Sequence, residues 1–182
     1  MKIGILGAGS WAIAHSALLY KKGHHISMWE FNSRDAEMLR TKREHPAKLP
    51  GIIIPDQIEI YNDIPPVIAS SEFVICAVPS QTLRSTLRKM VEVVKKEIID
   101  SVQGWVIVAK GIETGTLKLM SDVLLEEIPG ITGQKIVVLS GPSHAEEVSR
   151  DIPTTVVAAS ESQDLSIKVQ ENFSTDAFRI YT

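Results

Sequence analysis

Cysteine is almost absent from this chain, since Cys76 is the only one among 182 residues. A lone cysteine excludes an intrachain disulfide framework and a zinc cluster built on cysteines. Neither sign of charge dominates: 19 Lys and Arg stand against 22 Asp and Glu, a formal net charge of −3. With no basic run, the sequence lacks the electrostatic footprint of a nucleic-acid-binding protein.

Long apolar runs are missing as well. No stretch approaches the ~20 apolar residues that a membrane-spanning helix needs. The first apolar run begins at residue 2, so we expect no signal peptide and a cytoplasmic location. The apolar share of 44% and the charged share of 23% are ordinary for a soluble globular protein. The length predicts a single domain, residues 1–182, that buries a sizeable core and needs no disulfide bonds or metal sites to stabilise it.

Two kinds of segment alternate along the chain. Short apolar, β-branched runs predict strands at residues 2–6, 26–29, 57–60, 73–78, 105–109, 135–139, 154–159 and 177–182. Spacings of three and four predict helices at residues 12–21, 33–41, 82–99 and 116–128. This alternation predicts an α/β fold of the Rossmann type, a doubly wound, mainly parallel sheet with helices on both faces.

Glycine and proline mark the ends of these segments. Gly23 is placed for a left-handed residue after the first helix. The prolines within residues 44–56 predict a loop. Asp63, followed by two prolines, predicts the N-cap of a further short helix.

The strongest local signal is the glycine-rich segment at residues 7–12, GAGSWA, between the first strand and the first helix. In a dinucleotide fingerprint Gly7 allows the tight turn, Gly9 lets a pyrophosphate approach the backbone, and Ala12 keeps the helix close to the sheet. The helix N-terminus then faces the phosphates. The alternative is an ordinary glycine turn, but the complete strand–turn–helix–strand context favours a cofactor site.

An acidic residue closes the second strand. Glu30 follows Gly9 by 21 residues, the spacing at which a carboxylate accepts hydrogen bonds from the adenosine ribose. The first arginine after it is Arg34, so we expect NAD to be favoured, with NADP as a second possibility. Phe31 either lies against the adenine or belongs to the core. The alternative for Glu30 is a solvated strand end.

Further candidates follow the later strands, where ligands of open α/β sheets bind. The segment Val78, Pro79 and Ser80 ends the fourth predicted strand, caps the next helix and would line the cofactor groove by its position. Lys110 can hold an anionic or carbonyl oxygen of the cofactor or the substrate, although a lysine before a turn is often only a surface residue. Ser143 has the spacing of a capping box with Glu146.

Two residues of chemical interest have plainer interpretations. His144 could transfer protons but is more simply an exposed residue of a turn. Cys76 lies within an all-apolar run and is interpreted as a small core residue rather than a nucleophile. No combination of residues suggests a metal site.

Four motifs taken together resemble the NAD(P)-dependent sn-glycerol-3-phosphate dehydrogenases. They are GAGSW at 7–11, AVPSQ at 77–81, AKGIE at 109–113 and LSGPSHAEE at 139–147. The resemblance implies hydride exchange between dihydroxyacetone phosphate and sn-glycerol 3-phosphate at the entry to phospholipid synthesis. It implies dinucleotide contacts from Ser10, Trp11, Phe31 and Ala145, and substrate contacts from Lys110, Gly141 and Ser143.

The resemblance also carries two departures. Phe31 stands where many bacterial members have an arginine, which again favours NAD. The family continues into a helical domain that holds the proposed catalytic lysine and much of the dimer interface. We therefore expect the main catalytic base beyond Thr182, no catalytic residue within this chain, and a homodimer only for the full-length protein.

Two other functions stay open on the sequence. One is a hydroxyacid or ketopantoate reductase with the same fold, against which the 139–147 motif argues. The other is a regulatory module that binds NADH without turnover.

Overall fold

Strands and helices make up most of residues 1–182, which the computed structural model describes, and they alternate except where two helices follow one another at residues 80–101. The strands are β1 (Lys2–Leu6), β2 (His25–Trp29), β3 (Glu59–Tyr61), β4 (Phe73–Cys76), β5 (Gly104–Ile107), β6 (Ile136–Ser140), β7 (Thr154–Ala159) and β8 (Phe178–Tyr181). The helices are α1 (Ser10–Lys21), α2 (Ser33–Lys42), α3 (Ile64–Ala69), α4 (Ser80–Val93), α5 (Lys96–Ser101), α6 (Met120–Glu127), α7 (Ala145–Val148) and α8 (Gln163–Phe173).

All eight strands form one sheet in the order β3-β2-β1-β4-β5-β6-β7-β8. The first six are parallel to one another, β7 runs antiparallel to β6, and β8 is parallel to β7. The strand order reverses direction between β1 and β4, which is the point where doubly wound sheets bind their ligands. The predicted Rossmann-type fold is confirmed.

Two apolar layers cover the sheet. One joins α1, α7 and α8 to one face, and the other joins α3, α4, α5 and α6 to the opposite face. Successive residues of β4 alternate between these layers, with Phe73 in the first and Val74 in the second.

Cys76 is fully buried, and burial raises the pKa of its thiol to about 12, so its interpretation as a core residue is confirmed.

Two predicted helices are wrong in their extent. The helix predicted at residues 82–99 is interrupted, because Val94 is extended and buries its side chain in the second layer. The helix predicted from residue 116 begins only at Met120, since Gly115 and Leu117 both have positive φ. A residue with positive φ cannot continue a right-handed helix.

The turn, loop and cap predicted from glycine, proline and aspartate agree with the structure. Gly23 has a φ of +86°, and its N–H donates to the carbonyl of Tyr20, as expected of the residue after a helix. Residues 44–56 form a loop with a single isolated bridge. Asp63 is the N-cap of α3, although its side chain makes no capping hydrogen bond. None of the helices has the length and apolarity to cross a membrane.

Candidate functional site

A groove of about 980 Å³ opens at the carboxyl ends of the parallel strands, across the β1/β4 reversal point. Most of the residues selected from the sequence line it. They are Gly7, Gly9, Ser10, Trp11, Glu30, Phe31, Val78, Pro79, Lys110, Ser143 and Ala145. Ala12 and Gly141 do not line the groove.

The two glycines of the turn act in different ways. Gly7 has a φ of +112°, and a Cβ on it would stand 3.1 Å from the backbone of Ala77 and Val78. It therefore needs to be glycine for both conformation and space. A Cβ on Gly9 would meet no atom within 4 Å, so the space above this residue is open to a ligand. Ala12 is fully buried in the first layer, where a small side chain lets α1 approach the sheet.

The N-terminus of α1 is directed at that open space. Gly9 is its N-cap, no side chain caps it, and no acidic residue lies in the first turn. The first backbone N–H groups of a helix have no intrahelical partner, and the helix dipole makes this end positive. A backbone site of this kind fits the pyrophosphate of a dinucleotide.

Ser10 connects this turn to the loop at residues 44–56. Its hydroxyl donates to the carbonyl of Lys48 at 2.6 Å. No sequence pattern predicts this contact, which brings together two segments 38 residues apart.

Glu30 is buried rather than solvated, with 2% of its surface exposed. One carboxylate oxygen accepts the N–H of Asn32 at 3.0 Å, and the other lies 3.3 Å from the ammonium group of Lys48. The alternative of a solvated strand end is therefore wrong. Phe31, next to it, is 72% exposed, which excludes the alternative that it belongs to the core.

The glycine-rich turn at residues 7–12 forms the first wall of the groove, and Lys110 and Ser143 meet on the opposite, second wall. The Lys110 ammonium group donates to the Ser143 carbonyl at 2.5 Å and lies 3.4 Å from its hydroxyl. It also lies 5.6 Å from the ring centroid of Trp11, so it faces the glycine-rich turn across the groove. Lys110 is thus more than a surface lysine before a turn.

One capping assignment made from the sequence is wrong. α7 begins at Ala145 with His144 as its N-cap and no capping side chain, because the Ser143 hydroxyl donates instead to the Gly141 carbonyl at 3.3 Å. The segment at residues 78–80 does cap α4 as predicted, since Pro79 is the N-cap and Ser80 the first helical residue, although no side chain makes a capping hydrogen bond.

Gly141 supports this wall from behind. A Cβ there would lie 2.7 Å from the carbonyl oxygen of Thr155 and 2.9 Å from the Cα of Val156. Only glycine lets the segment between β6 and α7 pass so close to β7.

The loop after Lys110 is fastened to α4 by charge. The Arg84 guanidinium, with help from the Thr116 hydroxyl, lowers the pKa of Glu113 to about 2. Gln81 adds two hydrogen bonds, donating to the Ile112 carbonyl at 2.7 Å and accepting the Thr114 N–H at 2.8 Å.

Beneath the first wall lies an unusual histidine. His15 is packed between Trp11 and Phe178 with edge-to-face geometry, and neither of its ring nitrogens has a hydrogen-bond partner. Burial lowers the pKa of His15 to about 4. The His15 ring is therefore neutral near pH 7, and in this form it packs against Trp11 and supports it.

Sequence reasoning missed two lysines of the groove. Lys48 comes from the 44–56 loop, and Lys89 from α4, where its ammonium group lies 5.6 Å from the ring centroid of Trp29. Helical periodicity places Lys89 on an exposed face, and no pattern in the loop distinguishes Lys48.

Comparison with known proteins agrees with this geometry. Residues 2–166 match the family model described as "NAD-dependent glycerol-3-phosphate dehydrogenase N-terminus". The chain is 39% identical to a glycerol-3-phosphate dehydrogenase [NAD(P)+] of Fusobacterium nucleatum and 43% identical to one of Chlorobium luteolum. Both matches cover 100% of this chain but 52% and 53% of the relatives, so the chain spans about half their length.

A solved structure gives the same answer. The glycerol-3-phosphate dehydrogenase of Coxiella burnetii superposes with a TM-score of 0.87 at 28% identity, covering 99% of this chain and 53% of that one. With a family model that matches nearly the whole chain, a groove built for a dinucleotide and this structural agreement, the chain belongs to the NAD-dependent glycerol-3-phosphate dehydrogenase N-terminal family.

Proposed function

We propose that residues 1–182 form one domain that binds the nicotinamide cofactor of a glycerol-3-phosphate dehydrogenase. The observation that carries this proposal is the uncapped N-terminus of α1, which faces open space above Gly9 within a groove large enough for a dinucleotide. The family membership supports the same assignment. The full-length enzyme would interconvert dihydroxyacetone phosphate and sn-glycerol 3-phosphate for glycerophospholipid synthesis.

Each part of the groove has a role in this proposal. The turn from Gly7 to Trp11, including the backbone of Ser10, holds the pyrophosphate, and Ala12 sets the helix close enough to do so. Glu30 accepts hydrogen bonds from the adenosine ribose. Phe31, exposed beside it, lies against the adenine.

The nicotinamide end lies toward the second wall. Val78 and Pro79 form the floor, and Ala145 borders the same space. When bound, the cofactor supplies or accepts the hydride. The side chains of this wall hold the partner molecule so that its carbonyl carbon meets the nicotinamide, and positioning of this kind is worth ~7–11 kcal/mol.

Lys110 is the residue we assign to the substrate. Its ammonium group lies within the groove, held by the Ser143 carbonyl, and can form a charged hydrogen bond to a substrate oxygen. Ser143 adds a hydroxyl, and Gly141 fixes the segment that carries it. We assign the main base to the half of the relatives' length that this chain does not span, so the 182 residues alone should bind cofactor without turnover.

We further propose that NADH binds more tightly than NADPH. A buried carboxylate at Glu30 suits a ribose diol and repels a 2′-phosphate. The expected difference is about 1–3 kcal/mol, the range of a charged hydrogen bond. The homodimer remains a prediction for the full-length protein.

Calorimetry and a turnover assay test these proposals. The chain should bind NADH, show no oxidation of NADH by dihydroxyacetone phosphate, and gain that activity when its last residue is joined to the second half of the F. nucleatum relative. Lys110→Met in the chimera should abolish turnover. Activity of the chimera on ketopantoate instead would favour the reductase alternative, and NADH binding by an inert chimera would favour the regulatory module.

A further inference from the structure

A cluster of charge borders the adenosine end of the groove. The Lys48 ammonium group lies 3.3 Å from a carboxylate oxygen of Glu30 and 3.7 Å from one of Asp35. The Asp35 carboxylate in turn lies 3.8 Å from Nε2 of His45. Lys48 therefore sits between two acidic groups, at the position where a ribose 2′ substituent would approach Glu30.

The backbone of Lys48 is held firmly, whereas its amine faces the groove. Its carbonyl accepts the Ser10 hydroxyl at 2.6 Å, and its N–H lies 3.2 Å from both Nδ1 and the carbonyl of His45. The neighbouring Leu49 is buried in the first apolar layer. The Lys48 side chain keeps 31% exposure and lines the groove, so its amine can reach a ligand without displacing the loop.

No other cation lines the groove at this end. The groove is lined by three cations, Lys48, Lys89 and Lys110, and by no arginine. Lys110 is engaged with Ser143 on the opposite wall, and Lys89 lies over the Trp29 ring. Arg34, the first arginine after Glu30 in the sequence, does not line the groove.

The charges at this site interact differently with NADH and with NADPH. Glu30 and Asp35 with Lys48 leave a net negative charge, which accommodates the neutral diol of NADH. A phosphate monoester brings roughly two further negative charges near pH 7. It could stay beside Glu30 only if a cation turned toward it, and Lys48 is the groove-lining cation that stands next to Glu30.

We propose that Lys48 is the residue that lets this site accept NADPH as well as NADH. This inference rests on the proposed cofactor site and sharpens it. With NADH bound, Lys48 stays paired with the two carboxylates and neutralises part of their charge. With NADPH bound, its ammonium group turns to the 2′-phosphate. Glu30 makes NADH bind more tightly than NADPH, and Lys48 keeps the ratio of the two affinities small.

The test is a comparison of dissociation constants for NADH and NADPH, measured by calorimetry on the 182-residue chain at matched low salt. Lys48→Met should weaken NADPH about tenfold or more, the loss of a charged hydrogen bond, and change NADH by less than about threefold. Lys48→Arg, which keeps the charge, should retain NADPH binding. Lys21→Met is the matched control, because it removes an equal charge from an exposed pair with Asp151 and should leave both affinities unchanged.

Salt gives a second measurement on the same proteins. The affinity for NADPH should fall more steeply with salt than that for NADH, and Lys48→Met should remove this excess slope. That result would support the proposal even if the variant were somewhat less stable.

Several outcomes would overturn the proposal. An unchanged ratio of the two affinities in Lys48→Met would do so, and so would an equal loss of both, since that would make Lys48 a structural part of the loop. A selective loss of NADPH in Lys89→Met but not in Lys48→Met would assign the role to Lys89. Failure of the unmodified chain to bind either cofactor would instead refute the proposed function.

Discussion

The two walls of the groove present different parts of the chain to a ligand. The first wall, residues 7–12 at the start of α1, offers backbone N–H groups and open space above a glycine. The second wall offers one ammonium group, that of Lys110, held by a carbonyl 33 residues further along the chain. A backbone site depends on local conformation alone, whereas a side-chain site depends on how distant segments pack.

The largest expected effect concerns ligand binding at the first wall. Gly9→Asp places a side chain and a negative charge in the space proposed for the pyrophosphate. NADH binding should fall by more than about a thousandfold, or roughly 4 kcal/mol. Calorimetry measures this loss, and thermal unfolding should show an intact fold because a Cβ at this position meets nothing within 4 Å.

Gly9→Ala is the graded control for that prediction. A methyl group without charge should weaken NADH far less than the aspartate. Equal losses in both variants would mean that space alone, and not charge, governs the first wall.

The second effect concerns the support of the first wall and depends on pH. The pKa of His15 is about 4 in the folded chain against 6.5 as the reference value, so between these values only the unfolded chain binds the proton. Proton uptake therefore favours unfolding: the contribution is complete above pH 6.5 and is lost as the pH falls toward 4. The loss amounts to about 3 kcal/mol.

Denaturant titrations at pH 7 and pH 4 measure this loss in the free energy of unfolding. His15→Leu should reduce the difference in unfolding free energy between the two pH values by that amount, while His144→Leu, a change in the turn before α7, should not. An identical pH dependence in His15→Leu and the unmodified chain would contradict the prediction.

A third effect tests the second wall. Gly141→Ala brings a methyl group to 2.7 Å from the Thr155 carbonyl oxygen, so the chain between β6 and α7 must shift. We expect a loss of about 1–3 kcal/mol in unfolding free energy, the usual cost of overpacking. Gly9→Ala should cost much less stability. If Gly9→Ala cost as much, the distinction between an open glycine and a packed one would fail.

The smallest effect is expected from Ser143→Ala. Lys110 keeps its bond to the Ser143 carbonyl, which the substitution leaves in place. NADH affinity, measured by calorimetry, should change by less than about twofold. A larger loss would show that the hydroxyl itself takes part in binding the dinucleotide.

The same contrast explains what the sequence could predict. The doubly wound α/β fold, the turn at Gly7 and the buried strand β4 follow from local patterns of glycine and apolar residues, and all three are found in the structure. The break at Val94 escaped prediction because helical spacing continues across it and only tertiary burial decides. Lys48 escaped because its position depends on a hydrogen bond from Ser10, and the pairing of Lys110 with Ser143 depends on the meeting of two strand ends.

The hydrogen bond from Ser10 to Lys48 has a consequence for how such a site can evolve. It ties the loop that carries the lysine to the backbone turn, so the framework does not depend on which side chains project from the loop. Substitutions at Glu30 or Lys48 can then accumulate under selection without disturbing the turn proposed to hold the pyrophosphate. A lineage could change its redox partner through one or two such replacements while keeping the fold and most of the binding energy it already has.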